Sequence, residues 1–186
     1  RLSDDDLVEG YRASKNPEFL AEIFLRFSDI AFRTAFQFSK NTSDAEDAAQ
    51  NAFIKCMNDL NQYQLGTNFK AWLMRIVVNS CKNKKIEEQR RSNRHEKYSA
   101  QKENFIVNED KLEANEIQVV IRNTVALLPE KYRAPIWLVL FEGFTYADAS
   151  KSLEMPEKTI RTQVSRGLEK IKEILKNSGI LLSVSS

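Results

Sequence analysis

The sequence of 186 residues is poor in the side chains that build disulfides and metal sites, with two cysteines and one histidine. Cys56 and Cys81 show no CxxC spacing, so we expect two buried, reduced thiols in a cytosolic protein rather than a disulfide framework. The single histidine, His95, lies in a polar stretch away from the clustered carboxylates, which argues against a metal or general-base site. The sequence therefore predicts no catalytic residue, no metal and no cofactor.

Long apolar runs are also missing. None approaches the roughly 18 residues that a membrane-spanning helix needs, and the first residues, RLSDDDLVEGYR, lack the apolar core of a signal peptide. We therefore expect a cytoplasmic protein without membrane insertion. Because the sequence does not begin with methionine, it allows for further residues before Arg1.

Glycine and proline are scarce, at five and four residues, and apolar residues recur with a period near 3.6 over long stretches. This pattern predicts an all-α protein. Ser43 and Glu46 fit a capping box, so we expect Ser43 to be the N-cap of the third helix. Pro135 predicts a kink or a late start in the helix that Gly143 ends. Further helices are expected at about residues 4–14, 17–39, 112–127, 146–153 and 157–176, with another beginning at NFKAWL.

The polar composition of the middle of the chain predicts two small domains joined by a flexible linker. We expect an N-terminal helical domain at residues 1–90, a linker at 91–111, a C-terminal helical domain at 112–178 and a short tail at 179–186.

Charge is distributed unevenly along a chain whose net charge is +2. Residues 70–98 carry nine basic and three acidic side chains, and residues 156–186 carry six basic and three acidic ones. The segments 1–60 and 99–155 are acidic by contrast. Two basic segments separated by acidic ones favour two separate contacts with a polyanion.

The C-terminal segment FTYADASKSLEMPEKTIRTQVSRGLEKIKEIL has the outline of a helix-turn-helix, since a short helix and a three- or four-residue turn precede an amphipathic helix. Arginine pairs with guanine through two hydrogen bonds, and hydroxyl groups contact base edges or phosphates. DNA binding is therefore favoured over a plain helical hairpin with a solvated basic face. The candidate residues are Lys158, Thr159, Arg161, Thr162, Ser165 and Arg166.

The third helix has a polar outer face that includes an apolar residue, Ile54. Its carboxylates lack a nucleophile and metal ligands, so a hydrolase is poorly supported, and a solvated helix face is the default interpretation. An exposed isoleucine among polar residues instead indicates a docking surface for a partner helix. The outer face comprises Glu46, Asp47, Gln50, Asn51, Ile54 and Lys55.

The fourth helix begins with the apolar NFKAWLMRIVV and ends in a basic run, and its Trp72 is expected in the core. Asparagine can read a base edge, and lysine and arginine contact phosphates, a combination that suits opened, single-stranded DNA. The candidate residues on the preceding loop and this helix are Asn61, Gln62, Arg75, Asn79, Lys82, Asn83, Lys84 and Lys85.

Together these segments resemble a bacterial sigma factor of the extracytoplasmic-function (ECF) group. The pattern DAEDxxQxxFxK reads DAEDAAQNAFIK here, at residues 44–55, and FxxWLxRIxxNxxxN reads FKAWLMRIVVNSCKN, at residues 69–83. In the C-terminal half LPExxR reads LPEKYR, at residues 128–133. The remaining matches there are Gly143, Tyr146, Leu153, Pro156, Thr159, Arg161 and Arg166.

The resemblance implies a role for each candidate surface. The outer face of the third helix would bind the largest subunits of core RNA polymerase. Loop 61–68 and the fourth helix would engage the minus-ten promoter element, including a flipped non-template base. The last helix would read the minus-thirty-five element as duplex DNA. An anti-sigma factor is a further implied partner.

The sequence departs from the family pattern at a few positions. Asn51 occupies a position that is often glutamate. Ser150 and Glu154 replace the usual alanine and glycine of the helix-turn-helix, so we expect a less tight turn. The alternative to a sigma factor is a stand-alone helix-turn-helix regulator that forms dimers through its N-terminal helices, which leaves the basic segment 70–98 and the exposed Ile54 without a role.

Overall fold

The computed structural model describes residues 2–92 and 116–178, and within these ranges all regular structure is helical. Most of the predicted linker, its His95 and the predicted tail lie outside the described residues. We number the α-helices in chain order. They are α1 (Asp4–Ser14), α2 (Pro17–Ser39), α3 (Thr42–Asp59), α4 (Phe69–Ser92), α5 (Glu116–Ala126), α6 (Glu130–Ile136), α7 (Tyr146–Leu153) and α8 (Glu157–Asn177).

The chain divides into two compact units, which we describe separately. Among the described residues, one unit comprises residues 2–92 together with 151–154, and the other comprises residues 116–150 together with 155–178. In the first unit α2, α3 and α4 pack against one another, and α1 packs against α2. In the second unit α8 packs against α5 and α6.

The core of the first unit is apolar and rich in aromatic rings. The rings of Phe24 and Phe53 lie 4.3 Å apart between centroids, and those of Phe27 and Phe69 lie 5.4 Å apart. Burial of such side chains is the main favourable term that holds the helices together. The inner face of α3, opposite the predicted polar outer face, is buried: it comprises Ala45, Ala49, Ala52, Phe53 and Cys56, and the buried Leu60 follows it.

The predicted N-cap of α3 is wrong. Asn41, and not Ser43, caps this helix: its side-chain oxygen accepts a hydrogen bond from the Asp44 amide at 2.9 Å. Asn41 has the extended backbone of an N-cap, whereas Ser43 already lies in the first helical turn. Two overlapping cap patterns occur in NTSDAE, and asparagine is at least as good a cap as serine.

The second unit shows the effect of proline inside a helix. α6 begins at Glu130, before Pro135, and continues into a π-helical turn at Trp137–Phe141. Proline removes one amide donor and crowds the preceding turn, which accounts for the local change in hydrogen bonding. Gly143 follows with a φ of +69°, so the chain reverses at a residue suited to that conformation.

The turn between α7 and α8 is closed by hydrogen bonds between its ends, and the expected loosening of this turn stays a prediction. The Met155 amide donates to the carbonyl oxygen of Ser150 at 3.1 Å, and the Ser150 hydroxyl donates to the carbonyl oxygen of Met155 at 2.5 Å. Glu154 adopts a φ of +55°, the left-handed conformation that glycine adopts without steric cost. The serine therefore supports the turn, and the glutamate occupies a position where glycine fits better.

Candidate nucleic-acid and polymerase-binding surfaces

The outer face of α3 is exposed, as the sequence predicts. Ile54 is 56% exposed and Met57 is 37% exposed, so two apolar side chains lie on an otherwise polar face. Burial of such side chains under a partner favours binding, and flanking polar groups make the contact specific. The other members of the predicted set are also exposed: Glu46, Asp47, Gln50, Asn51 and Lys55.

Lys84 of α4 belongs with this face of α3. Its Nζ lies 2.7 Å from Asp44 Oδ1 and 3.0 Å from Asp47 Oδ2. Partial burial of Lys84 opposes its charged form, but the hydrogen bonds and charges of the two carboxylates outweigh burial and raise the lysine pKa. The sequence predicts Lys84 for a DNA contact, whereas the structure brings it to the carboxylates of α3.

Helical geometry accounts for this placement. Lys84 follows Arg75 by nine residues, or about two and a half turns, so the two side chains leave α4 on opposite faces. Arg75, Asn79 and Lys82 are spaced by four and three residues and share one face. Asn83 and Lys84 instead line a groove of about 450 Å³ between α3 and α4, together with Asp47, Ala48, Asn51, Lys55, Ser80, Glu87 and Glu88.

The predicted minus-ten residues therefore fall into two groups. Asn83 and Lys84 line the groove between α3 and α4, whereas the others lie on the preceding loop or elsewhere on α4. Asn61 and Gln62 are exposed on the single 3-10 turn that follows α3, and Arg75 is exposed on α4. Lys85 is also exposed, on the flank of α4 between its two faces. The sequence shows the helical period but not which face packs on α3, so it does not separate Lys84 from its neighbours.

Tyr63 anchors the loop at residues 60–68 that joins α3 to α4. Its ring is 2% exposed and lies 5.1 Å from the Phe69 ring and 5.4 Å from the Trp72 ring, between centroids. Burial raises the pKa of the Tyr63 hydroxyl to about 12, and a nearby carboxylate adds to the effect. Trp72 is half-buried rather than in the core as expected, and its ring packs against that of Tyr63 and so supports the loop.

The helix-turn-helix presents its predicted residues along α8. Lys158, Arg161, Thr162, Ser165 and Arg166 are exposed, and Thr159 is half-buried. A groove of about 320 Å³ is lined by Thr159, Thr162, Gln163 and three cationic side chains, Lys131, Lys158 and Arg166, with Tyr132 beside them. Sequence reasoning missed Lys131, because it lies on α6 and reaches this groove through the packing of α6 against α8.

Arg161 is held by local contacts. Its guanidinium donates to Glu157 Oε1 from Nε at 3.0 Å and from Nη2 at 2.6 Å, and it lies over the Tyr146 ring at 4.3 Å from the centroid. Stacking on an aromatic ring fixes the plane of a guanidinium and limits its rotamers. The contacts restrict Arg161 before any DNA is bound.

Residues 2–92 and 116–178 hold no group of three or more histidine, cysteine, aspartate or glutamate side chains that fits a metal ion. The helices in the same ranges include none that is long and apolar enough to cross a membrane.

Comparison with known protein families assigns the chain. Residues 23–92 match the family described as Sigma-70 region 2, and residues 118–171 match the family described as Sigma-70, region 4. The ECF RNA polymerase sigma-E factor of Escherichia coli is 30% identical over 139 residues, which cover 70% of this chain and 73% of that protein. The chain belongs to the ECF group of sigma factors. Its function is to direct RNA polymerase to promoters, and the stand-alone regulator is not favoured.

More distant relatives cover more of this sigma factor. The RNA polymerase sigma-H factor of Pseudomonas aeruginosa is 27% identical over 182 residues, which span 92% of this chain and 93% of that protein. Among solved structures, the sigma factor RpoE in complex with the anti-sigma factor NepR, from Bartonella quintana, aligns with a TM-score of 0.68 at 22% identity. That alignment covers 87% of this chain and 98% of RpoE, and it supports the fold.

Proposed function

We propose that this sigma factor uses three surfaces of the described residues to start transcription at its promoters. The outer face of α3 binds core RNA polymerase, the loop at 60–68 with α4 binds the minus-ten element, and α8 reads the minus-thirty-five element. The observation that carries the proposal is the order of the two sigma-70 regions along the chain, at residues 23–92 and 118–171.

The polymerase contact is proposed for the α3 face because it joins an exposed apolar side chain to polar neighbours. Ile54 supplies apolar area, and Asp47 is fixed by Lys84 rather than free to rotate. An immobilised polar side chain loses less conformational entropy when a partner binds. We therefore assign Lys84 to the polymerase-binding surface rather than to the DNA-binding surface.

The minus-ten contact is proposed to capture bases of the opened strand. Extruding a base from the duplex costs a few kcal/mol in lost stacking and pairing, so the protein must offer contacts that the closed duplex cannot make. The exposed amides of Asn61 and Gln62 can hydrogen-bond to base edges. Arg75, Asn79 and Lys82 share the adjacent face of α4, and cationic groups there bind the strand backbone.

The minus-thirty-five contact is proposed to read duplex DNA through α8. The exposed Arg161 can pair with a guanine through two hydrogen bonds. Lys158 and Arg166 supply phosphate contacts that position the helix and carry little sequence information. Two DNA contacts on one chain raise the effective concentration of the second once the first has formed.

The chain is proposed to have no catalytic activity of its own, because the polymerase performs nucleotidyl transfer. We also propose that it works without a cofactor in the bacterial cytoplasm, where core RNA polymerase and promoter DNA are found. An anti-sigma factor is a further proposed partner, and it would act by covering one or more of the three surfaces. Co-purification of a protein that blocks core binding would test this.

The experiment that tests the proposal is transcription by core RNA polymerase with the full chain on a template library. The minus-ten and minus-thirty-five elements of the templates are randomised, and the transcripts are sequenced. We expect enrichment of defined bases in both elements when the chain is present. Products without enrichment in either element would contradict the proposed function. Ile54→Asp should reduce all specific products, because a carboxylate at this position opposes burial under the polymerase.

A further inference from the structure

Helix α1 contacts the minus-ten loop from a distant part of the sequence. Asp5 lies in the first turn of α1, and its Oδ2 accepts a hydrogen bond from the Gly66 amide at 2.7 Å. Its Oδ1 lies 2.8 Å from the Tyr63 hydroxyl. One carboxylate therefore contacts the loop at two residues, once through the backbone and once through a buried side chain.

The Tyr63 hydroxyl links α1 to the far end of the loop. It also lies 2.6 Å from the carbonyl oxygen of Thr67. A hydroxyl group has one proton, so this proton is shared between two acceptors, one on α1 and one on the loop. Gly66, whose φ is +80°, lies between Tyr63 and Thr67 in the sequence. The second half of the loop is thus fixed through Asp5.

Arg12 fixes the first half of the same loop. Its Nη2 donates to the carbonyl oxygens of Leu60 and Tyr63, at 2.6 and 2.5 Å. Hydrogen bonds from a charged donor to backbone carbonyls are stronger than neutral ones. Arg12 follows Asp5 by seven residues, or about two turns, so both side chains leave α1 on one face.

The residues between these contacts point outward. Asn61, Gln62, Gln64 and Leu65 are exposed, while Tyr63 among them is buried. The loop thus presents polar side chains to solvent on a backbone held at both halves. A loop fixed before binding loses little conformational entropy on capturing a ligand, and its base-facing groups keep one geometry.

We propose that Asp5 and Arg12 are positioning residues for minus-ten recognition, which hold the loop at 60–68 in the geometry that selects the captured base. The inference rests on the proposed role of this loop. Neither residue contacts DNA in this account. Both act through the loop backbone and Tyr63, so their loss weakens the base preference at the minus-ten element and leaves the base preference at the minus-thirty-five element unchanged.

The test uses the template library described above, with full-length variants. Asp5→Ala removes both acceptors, and Arg12→Met removes the donors while it keeps the length of the side chain. We expect the enrichment of the preferred base at a minus-ten position to fall about tenfold in each, the loss that one or two charge-assisted hydrogen bonds produce. Minus-thirty-five enrichment and affinity for core polymerase should stay within twofold of the unmodified chain.

Two conservative variants separate positioning from folding. Asp5→Asn can still accept from the Gly66 amide and can donate to the Tyr63 hydroxyl, so we expect it to keep the minus-ten preference. Tyr63→Phe retains the ring and loses the hydroxyl that contacts Asp5 and Thr67. We therefore expect it to lose the minus-ten base preference while its melting temperature stays close to that of the unmodified chain. Glu9→Ala, an exposed charge removed from the same helix, is the matched control and should change nothing.

Hydrogen exchange gives an independent readout. The Gly66 amide should exchange faster in Asp5→Ala and at the original rate in Glu9→Ala. An unchanged minus-ten preference in both Asp5→Ala and Arg12→Met would overturn the inference. Equal losses at both promoter elements and in core binding would overturn it too, since they would assign α1 a purely structural role. If the unmodified chain enriches neither element, the proposed function itself fails.

Discussion

The two turns that present the proposed DNA-binding side chains are held in different ways. The loop at 60–68 is fixed by α1, through contacts that span 48 to 61 positions in the sequence. The turn between α7 and α8 is closed by hydrogen bonds between Ser150 and Met155, five positions apart in the sequence. The loop should therefore respond to mutations in α1, and the closure of the turn to changes at its ends.

The largest expected effect is on the loop held from a distance. Tyr63→Ala removes a buried ring from its contacts with Phe69 and Trp72 and leaves Asp5 without that partner. We expect the N-terminal unit to lose about 3 kcal/mol of stability, the usual cost of truncating a buried aromatic residue. Urea unfolding checks this. A loss of below about 1 kcal/mol would show that the loop is fixed without its central ring.

The next effect concerns α8, where the contacts are local. Arg161→Ala should lower affinity for duplex minus-thirty-five DNA by about 1–3 kcal/mol and weaken discrimination between bases at one position. A binding titration against a panel of single-base variants measures both quantities. Lys172→Ala is the control, because it removes the same charge about three turns further along α8. Unchanged discrimination would reassign Arg161 to phosphate contact or to structure.

A smaller effect is expected within the turn itself. Glu154→Gly should raise stability by about 0.5–1 kcal/mol, because glycine adopts the left-handed conformation without the steric cost that a side chain has there. The unfolding of the second unit, which includes both ends of the turn at Ser150 and Met155, can be followed by the fluorescence of Trp137 in a Trp72→Phe background. A lower urea midpoint for Glu154→Gly would show that the glutamate side chain supports the turn by contacts that outweigh its conformation.

The smallest effect distinguishes two neighbouring lysines of α4. Lys84 is paired with Asp44 and Asp47, so we expect Lys84→Gln to leave the salt dependence of single-stranded DNA binding nearly unchanged. Lys85→Gln should reduce the slope by about 0.7, the value for one phosphate contact on a single strand. An equal change in slope for both variants would return Lys84 to the DNA surface.

The sequence predicts the local features of this fold well. Helices α1, α2, α7 and α8 have the expected bounds to within a residue, because apolar period and capping residues are local signals. The buried face of α3 and its exposed Ile54 follow from the same period. The resemblance to ECF sigma factors, read from ordered motifs, is confirmed by the family matches.

Contacts between distant segments were beyond sequence reasoning. Nothing in RLSDDDLVEGYR indicates that Asp5 and Arg12 meet the loop at 60–68, because that depends on how α1 packs on the helical bundle. The same holds for Lys84, whose run of basic neighbours suggests DNA until the packing of α4 on α3 is known. The wrong N-cap of α3 has a local origin, since Asn41 and Ser43 both fit a cap pattern.

The central claim is that the two units make separable contributions to promoter recognition, and Asn79→Ala tests it most directly. Asn79 shares a face of α4 with Arg75, on the surface proposed for the opened strand. Open-complex formation with core polymerase, followed by permanganate reactivity of unpaired thymines, is compared with binding of duplex minus-thirty-five DNA. We predict a clear loss of open complex with duplex binding unchanged. Equal losses in both assays would contradict the account.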